Sequence, residues 1–351
     1  MGDDGALREA GAAAVTGERV LVTGASGYLG GAVAAALLAA GSRVRTLQRR
    51  PSGVAGAEDV IGTVTDAGSR RAAVEGIDAV VHLAAKVTFT GDPAEFAAVN
   101  VEGTRALLAD AAASGVTRFV FVSSPSVAHT GTSIMGDGAA PAEPSRARGE
   151  YARTKAAAEL LALAADSPSM AVTAVRPHLV WGPGDPQLVA RVVDRASKGR
   201  LPLVGTGAAL VDTCYIDDAV DGILAALRRI DVAHGQAYVL TSGEPRPIGE
   251  LFSAFCRAAG VPPPAVHVPV PVASAVGAIA EIVWRLRPGD DEPPMTRFLA
   301  EQLSTAHWFD QRRTHQDLDW SPAVGVSRGL ERLRAAHRGA TVAVGAGDLA
   351  E

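Results

Sequence analysis

"VLVTGASGYLGG", residues 20–31, decides how the rest of the chain is read. A β-branched run, "RVLVT" (19–23), stops abruptly at glycine. It is followed by "YLGGAVAAALLAAG" (28–41), an alanine-rich helix that ends at Gly41. Between them stand Gly24, Gly27 and Gly30, a GxxGxxG spacing. Glycine allows a tight strand-to-helix turn and lets backbone N–H groups approach a pyrophosphate. The helix N-terminus adds partial positive charge. A glycine triplet alone is weak in a chain with 38 glycines, but its place after a strand and before a helix gives it weight.

The second strand, "RVRTLQ" (43–48), runs into Gln48-Arg49-Arg50. A site selecting NAD carries an acid near that strand end for the adenosine ribose 2′-hydroxyl. Here the acid is missing and two guanidiniums can pair with a 2′-phosphate. NADP(H) is therefore expected over NAD(H), with a solvated basic loop as the plain alternative.

The alternation continues. "DVIG" (59–62) is a weak third strand and "DAVVHLAA" (78–85) a strong fourth. A long helix spans 93–115. "RFVFVSS" (118–124), a helix over 149–166 and "AVTAVRP" (171–177) follow. Strands alternating with helices of this length predict an α/β fold: a doubly wound parallel Rossmann sheet. The last third breaks the alternation and predicts a smaller, mostly helical substrate-binding part. The expected division is 1–17 as lead-in, 18–180 with 212–243 returning to it as the cofactor domain, 181–211 and 244–338 as the substrate part, and 339–351 as a flexible tail.

The 351 residues are 48% hydrophobic and 20% charged, an ordinary globular composition. A net charge of −5 gives no basic field for nucleic acid. Two cysteines, Cys214 and Cys256, fit a reducing compartment and no metal-like spacing. No signal peptide is read at the N-terminus, so a cytoplasmic protein is expected. The longest apolar run, Val268–Trp284, is interrupted by prolines and is shorter than the about 20 residues of a spanning helix. Val276, Ile279, Ile282, Val283 and Leu286 share one helical face, which predicts a core or pocket-lining helix.

"EYARTKAAAE" (150–159) places Tyr151 and Lys155 on one helical face. A hydride reaching a carbonyl leaves an alkoxide that needs a proton. A tyrosine with a pKa of about 10 is a reluctant acid–base group, and a nearby ammonium lowers that value. Alone, the pair reads as a surface contact. Ser124 changes this: it lies at the end of the fifth strand, where open α/β sheets bind ligands, and the Tyr151 helix comes next. Ser123 and Ser126 read as turn-forming serines.

These pieces, with "HLAA" (82–85), "NVEGT" (100–104), "SSPSV" (123–127), "RPHLVWGPGD" (176–185) and "YIDDAVDGI" (215–223), resemble the extended short-chain dehydrogenase/reductase family. They cover about residues 19–225 in the family's order; "WFDQRRTHQDLDWSP" (308–322) is a weaker echo. The closest likeness is to the 3β-hydroxysteroid dehydrogenase branch and its bacterial relatives of long-chain olefin biosynthesis. The resemblance implies that Tyr151 is the acid–base, Lys155 binds the nicotinamide ribose and tunes it, Ser124 holds the reacting oxygen, and Asn100 orders a relay water. It implies cofactor contacts from Gly24, Ser26, Gly27, Tyr28, Leu29, Gly30, Arg49, Arg50, Thr63, Val64, Leu83, Ala84, Ala85, Pro177, Leu179 and Val180, besides Tyr151 and Lys155, with no metal. His82 and His178 are expected to pack near the cofactor and pocket. The family often shows Gly-Asp after the third strand; here Gly62-Thr63 stands there, with Asp66 further on, so the adenine contact departs from the pattern.

The resemblance further implies NADPH-dependent reduction of a lipid-like 2-alkyl-3-oxoalkanoate to the 3-hydroxy acid. Pro125 and Ser126 replace the acids of sugar dehydratases, and the aliphatic 261–287 segment suits an acyl chain or sterol. Lys86 or Arg191 could meet a carboxylate. The alternatives are a hydroxysteroid dehydrogenase, a nucleotide-sugar reductase or epimerase, and a non-catalytic NADP-binding regulator. A homodimer, and a place in a multi-enzyme hydrocarbon-forming assembly, are expected.

Overall fold

The computed structural model describes residues 16–88, 91–286, 293 and 295–347; of 285, 286 and 340–347 only the backbone is described. The expected lead-in thus lies outside the described residues except for Thr16 and Gly17, as do the last four residues of the expected tail.

The strands in chain order are β1 (Arg19–Thr23), β2 (Arg43–Gln48), β3 (Glu58–Ile61), β4 (Ala79–His82), β5 (Arg118–Val122), β6 (Ile134–Asp137), β7 (Ala171–Pro177), β8 (Val180–Trp181), β9 (Leu203–Val204), β10 (Leu210–Val211), β11 (Cys214–Tyr215), β12 (Ala237–Leu240), β13 (Arg246–Pro247), β14 (His267–Val268) and β15 (His307–Phe309). Seven form one sheet in the order β12-β7-β5-β4-β1-β2-β3, every pairing parallel. The chain starts in the middle, winds out to β3, returns past β1 and winds the other way. The order reverses beside β1, so the carboxyl ends of β1 and β4 flank the crevice where ligands bind such sheets.

Burial explains the near-continuous apolar strands. In β1, Val20 and Val22 join a cluster with Val33 and Leu37 of helix Tyr28–Ala39, and with Ile223 of helix Ile216–Arg228. Leu21 points to the opposite cluster, with Leu107 of helix Gly103–Ala113, Phe119, and Ala158 and Ala162 of helix Gly149–Ala164. Both faces are covered, as a parallel sheet requires. The small Ala158 and Ala162 bring the Tyr151 helix down onto the sheet.

The long helix expected over 93–115 forms as a run with a wider turn inside it: Pro93–Phe96, a π-helical Ala97–Glu102, then Gly103–Ala113. Such insertions re-aim side chains and recur at functional sites. Asn100 lies in it.

Outside the main sheet, β13, β10, β15 and β6 form a second sheet that ties the C-terminal part to the loop after β5. Asp218, from "YIDDAVDGI", accepts the backbone N–H groups of Ala323 and Val324 at 2.8 and 3.0 Å and of Gly325 at 3.3 Å. It thereby caps the helix Gly325–Gly347, which runs into the stretch expected as a tail.

One expectation is overturned. Helix Val270–Leu286 forms, but Val276, Ile279, Ile282 and Val283 face solvent. Its buried face is Ala273, Gly277 and Ala280, packed against helix Arg297–Ser304. The reason is close approach: a Cβ on Gly277 would stand 2.6 Å from the Thr296 carbonyl carbon. Only the small side of the helix fits there. The four branched residues therefore form neither core nor pocket wall, and the aliphatic-wall argument for an acyl substrate loses them. The Leu286 side chain lies outside the described residues.

Candidate active site

The turn after β1 is built for backbone contact. Gly24 has φ +77°, and a Cβ there would lie 3.0 Å from the Ala84 backbone nitrogen. A Cβ on Gly30 would lie 2.3 Å from the Gly24 oxygen. Gly27 is the N-cap of helix Tyr28–Ala39 and offers no side-chain cap, so the first-turn N–H groups need another partner. Ser26, Gly27, Tyr28 and Leu29 are exposed or half-buried along this edge. Tyr28 also donates to the Pro183 carbonyl at 3.2 Å, joining the turn to the loop after β8.

At the end of β2, Arg49 and Arg50 are exposed. An acid does stand near in space: Asp59 of β3. Its oxygens already accept from Thr46 Oγ1 (2.6 Å), Gln48 Nε2 (3.2 Å) and the Ser52 N–H (2.9 Å); desolvation is the largest single influence and raises the carboxyl, but these hydrogen bonds together hold it below the usual range. Gln48, buried, keeps an unpartnered Oε1. A glycine cradle, a bare helix N-terminus and an unpartnered acceptor fit a dinucleotide. Thr63 is half-buried, Val64 is buried against Gly103, and Asp66 caps helix Ala67–Val74 through the Ser69 N–H at 2.7 Å, so Asp66 acts as a helix cap.

Leu83, Ala84 and Ala85 run beside the glycine turn. Thr23 Oγ1 accepts from the N–H of Leu83 (3.1 Å) and Ala84 (3.0 Å) and meets His82 Nδ1 at 2.6 Å. With two N–H groups donating to it, the Thr23 hydroxyl gives its own proton to Nδ1, and His82 Nε2–H then faces Thr104 Oγ1 at 3.0 Å. Burial, aided by Lys155, pushes His82 down to about 3, so it is a neutral strut between Thr23 and Thr104. Asn100 Oδ1 accepts from the Lys86 N–H (2.7 Å), and Nδ2 donates to the Lys86 carbonyl (3.1 Å) and Thr154 Oγ1 (3.0 Å). Both Asn100 N–H groups are used in clamping this loop to the Tyr151 helix.

Ser124 and Tyr151 do come together: the Ser124 hydroxyl is close enough to the phenol to favour its ionised form. Ser126 turns toward the same point, with its Oγ 3.0 Å from Ser124 Oγ. Ser126 orients Ser124, which goes beyond a turn role. Ser123 is no turn-former; its hydroxyl is buried without a partner and its N–H pairs with Val175 in the sheet at 2.7 Å. Lys155 is buried, donates to the Val122 carbonyl at 2.6 Å and lies 4.1 Å over the Phe121 ring. Burial lowers it to about 7, partly offset by Glu159. Tyr151 is raised to about 12 by burial, with Ser124 opposing. The expected lowering of Tyr151 by Lys155 is thus not what the chain alone produces: desolvation dominates both groups. The phenol is held protonated, the form a proton donor needs.

Pro177 ends β7. Leu179 follows with φ +44°, a left-handed conformation uncommon outside glycine and concentrated at sites. Val180 pairs with Cys214. His178 is buried and pushed down to about 4 by burial, with Nδ1 unpartnered. It packs on Phe309 (5.1 Å between ring centroids) and His307 (6.0 Å), and His307 on His129 (4.8 Å). Gln302 Nε2 meets His129 Nδ1 at 3.2 Å. Sequence reasoning missed this cluster; the echo "WFD" was the only signal, and its partners are far away in the chain. Of the carboxylate candidates, Lys86 is held by Glu95 and lies 5.4 Å from the Phe96 ring, while Arg191 lies near Asp185. Among the described residues no group of three or more His, Cys, Asp or Glu could hold a metal ion, and no helix is long and apolar enough to cross a membrane.

Residues 20–241 match the NAD dependent epimerase/dehydratase family, and the chain belongs to it. It is a nicotinamide-dependent oxidoreductase. Among its relatives, a 2-alkyl-3-oxoalkanoate reductase of Stenotrophomonas maltophilia is 39% identical over 90% of this chain and 98% of its own length. A 3 beta-hydroxysteroid dehydrogenase/Delta 5-->4-isomerase of Mycobacterium tuberculosis is 33% identical over 92% of each. A solved short-chain dehydrogenase/reductase superfamily protein of Agrobacterium tumefaciens with bound NAD superposes with TM-score 0.70, at 25% identity over 92% of this chain and 98% of that one.

Proposed function

We propose that the chain is an NADPH-dependent ketoreductase that reduces a 2-alkyl-3-oxoalkanoate to the 2-alkyl-3-hydroxyalkanoate. The Ser124 hydroxyl beside the Tyr151 phenol at the carboxyl edge of the sheet carries this reading. The 39% identical relative bears the same activity in its name. The dinucleotide, when bound, supplies the hydride. The glycine turn, with Ser26, Tyr28 and Leu29, holds its phosphates; Arg49 and Arg50 hold the 2′-phosphate; Leu83–Ala85, Pro177, Leu179 and Val180 border it. Ser124 holds the keto oxygen. Tyr151 carries a proton at its phenol oxygen and gives it to that oxygen as C3 becomes tetrahedral. Lys155 binds ribose and draws the phenol back toward donation. Asn100 is a positioning residue, because its amide fixes the loop beside Lys86.

Ketone reduction needs the Tyr151 phenol in its protonated form, which burial favours. Residues 18–180 with 212–243 form the cofactor domain in this reading, and 181–211 with 244–338 the substrate part. The proposal extends to a role in long-chain olefin formation, in a multi-enzyme assembly, as the family resemblance of the sequence implies. Two free, buried cysteines suit a cytoplasmic setting, and an uncovered apolar helix face suits a homodimer.

NADPH oxidation across 2-alkyl-3-oxo acids, 3-ketosteroids and nucleotide-ketosugars is the test. Selective turnover of the oxo acids is expected. The 33% identical steroid relative keeps one second reading open, and turnover of ketosteroids alone would replace the proposal with it. Tyr151→Phe should cut kcat by roughly 100- to 10,000-fold with NADPH binding retained.

A further inference from the structure

Asn100 spends its buried amide on one residue of the loop after β4. Its Oδ1 accepts from the Lys86 N–H at 2.7 Å, and its Nδ2 donates to the Lys86 carbonyl at 3.1 Å. The same Nδ2 also donates to Thr154 Oγ1 at 3.0 Å. Thr154 lies three residues beyond Tyr151 on one helix, and its hydroxyl is fixed to the carbonyls of Glu150 (2.7 Å) and Tyr151 (3.2 Å). A chain of hydrogen bonds therefore runs from the Lys86 backbone to the backbone of Tyr151. The π-helical turn Ala97–Glu102 is what aims Asn100 into it. Lys86 thus has a fixed root beside the Tyr151 helix and a flexible four-carbon stem. Its ammonium rests on the Glu95 carboxylate and lies 5.4 Å from the Phe96 ring. Gly91 makes room for it, since a Cβ there would stand 3.2 Å from Lys86 Cε. The Lys86 side chain is 25% exposed and that of Glu95 61%, and Glu95 sits on a single turn of helix, Pro93–Phe96. An ion pair so placed contributes little net stability. A second carboxylate can take over the ammonium at small cost.

We propose that Lys86 is the residue that selects an acid substrate: its ammonium leaves Glu95 for the carboxylate of the 2-alkyl-3-oxoalkanoate. This rests on the reductase reading and deepens it. In such an acid a single carbon separates the carboxylate from the keto carbon. The cation that reads the carboxylate must therefore stand beside the groups that handle the keto oxygen, and the root of Lys86 does. The other cations near this edge are committed elsewhere. Lys155 is buried on the Val122 carbonyl at 2.6 Å. Arg176 is locked between Glu159 and the Ala140 carbonyl. Arg148 extends over Gly131 to Glu301. Arg191, on helix Val189–Ser197, stands by Asp185. Glu95 serves as the resting partner: it keeps the ammonium oriented when no acid is bound and competes with the acid for it. A neutral ketone gains nothing from this exchange, because it has no charge to replace that of Glu95.

The test compares kcat/KM for NADPH-dependent reduction of a 2-alkyl-3-oxo acid and of its methyl ester, which keeps the skeleton and loses the charge. It uses the full-length wild type, Lys86→Met and Glu95→Gln, with NADPH titrated by fluorescence to show that each variant is folded. The wild type should favour the acid. Lys86→Met should lower the acid-to-ester ratio by roughly 10- to 100-fold, the worth of one charge-assisted contact, with most of the loss in KM. Glu95→Gln should move the ratio the other way, by roughly two- to fivefold, because the competing carboxylate is gone. A ratio unmoved by Lys86→Met, or acid and ester losing equally, would overturn the proposal. So would a Glu95→Gln variant that loses acid preference, since Glu95 would then be helping the acid to bind. Failure of the reductase reading shows separately: the wild type would reduce neither acid nor ester, and the assignment of Lys86 would fall with it.

Discussion

Arg176 and Glu159 form an ion pair inside the protein, each about 2% exposed or less, with the guanidinium 2.9 and 2.5 Å from the two carboxylate oxygens. Arg176 directly precedes Pro177 at the end of β7. Glu159 lies one helical turn beyond Lys155. The pair locks the helix bearing Tyr151 to β7, the strand that ends at Pro177, and Arg176 also donates to the Ala140 carbonyl at 2.7 Å. Removing one partner leaves a buried charge uncompensated. Glu159→Gln should cost about 3–5 kcal/mol by urea unfolding. Replacing both, as Arg176→Met with Glu159→Leu, should cost less than either single change; a double variant as unstable as the sum would contradict this account.

Buried neutral histidines make the protein acid-sensitive. The folded pKa of His178, about 4, lies below its unfolded value of 6.5. The unfolded state therefore binds the extra proton first. The stabilising contribution is complete above pH 6.5 and is lost as pH falls toward 4. Over that window His178 alone accounts for about 3 kcal/mol. Stability measured against pH should fall less steeply for His178→Asn than for the wild type; parallel curves would rule this out.

The alkaline limb of kcat should report Lys155. Burial holds Lys155 at about 7 and Tyr151 at about 12, so the ammonium is the first of the two to lose its proton as pH rises. With saturating NADPH, ketone reduction should decline from near neutrality upward. A profile flat to pH 10 would mean that the ammonium is not required.

Arg49 and Arg50 should set cofactor preference. Arg49→Ala and Arg50→Ala together should lower kcat/KM for NADPH by roughly 10- to 100-fold, the worth of one or two charge-assisted contacts, and leave that for NADH nearly unchanged. Equal losses for both cofactors would point to a damaged turn instead.

Gly30→Ala tests the cradle. Its Cβ would meet the Gly24 carbonyl oxygen at 2.3 Å, and backbone cannot step aside cheaply. A loss of about 1–3 kcal/mol in stability should accompany at least a tenfold loss in NADPH affinity by fluorescence titration. Normal affinity would separate the turn from phosphate binding.

The parallel sheet, the glycine turn and the Ser124–Tyr151–Lys155 grouping were legible because their signals are local. A strand that stops at glycine, a helix with a phenol and an amine four apart, and strict alternation each need only neighbours in sequence to be recognised. The topology then brings strand ends to one edge without further information. Asp218, Arg176 with Glu159, and the His129–His178–His307 cluster were not legible, because each draws its meaning from a partner distant in the chain. The direction of the Tyr151 shift was not legible for a related reason: spacing reveals that two groups are near, and only the folded surroundings reveal how dry they are. Helix Val270–Leu286 is the sharpest case. Its sequence determined that it would be a helix with one branched and one small face. Which face turned inward was decided by helix Arg297–Ser304, whose backbone comes so close at Gly277 that only the small face fits.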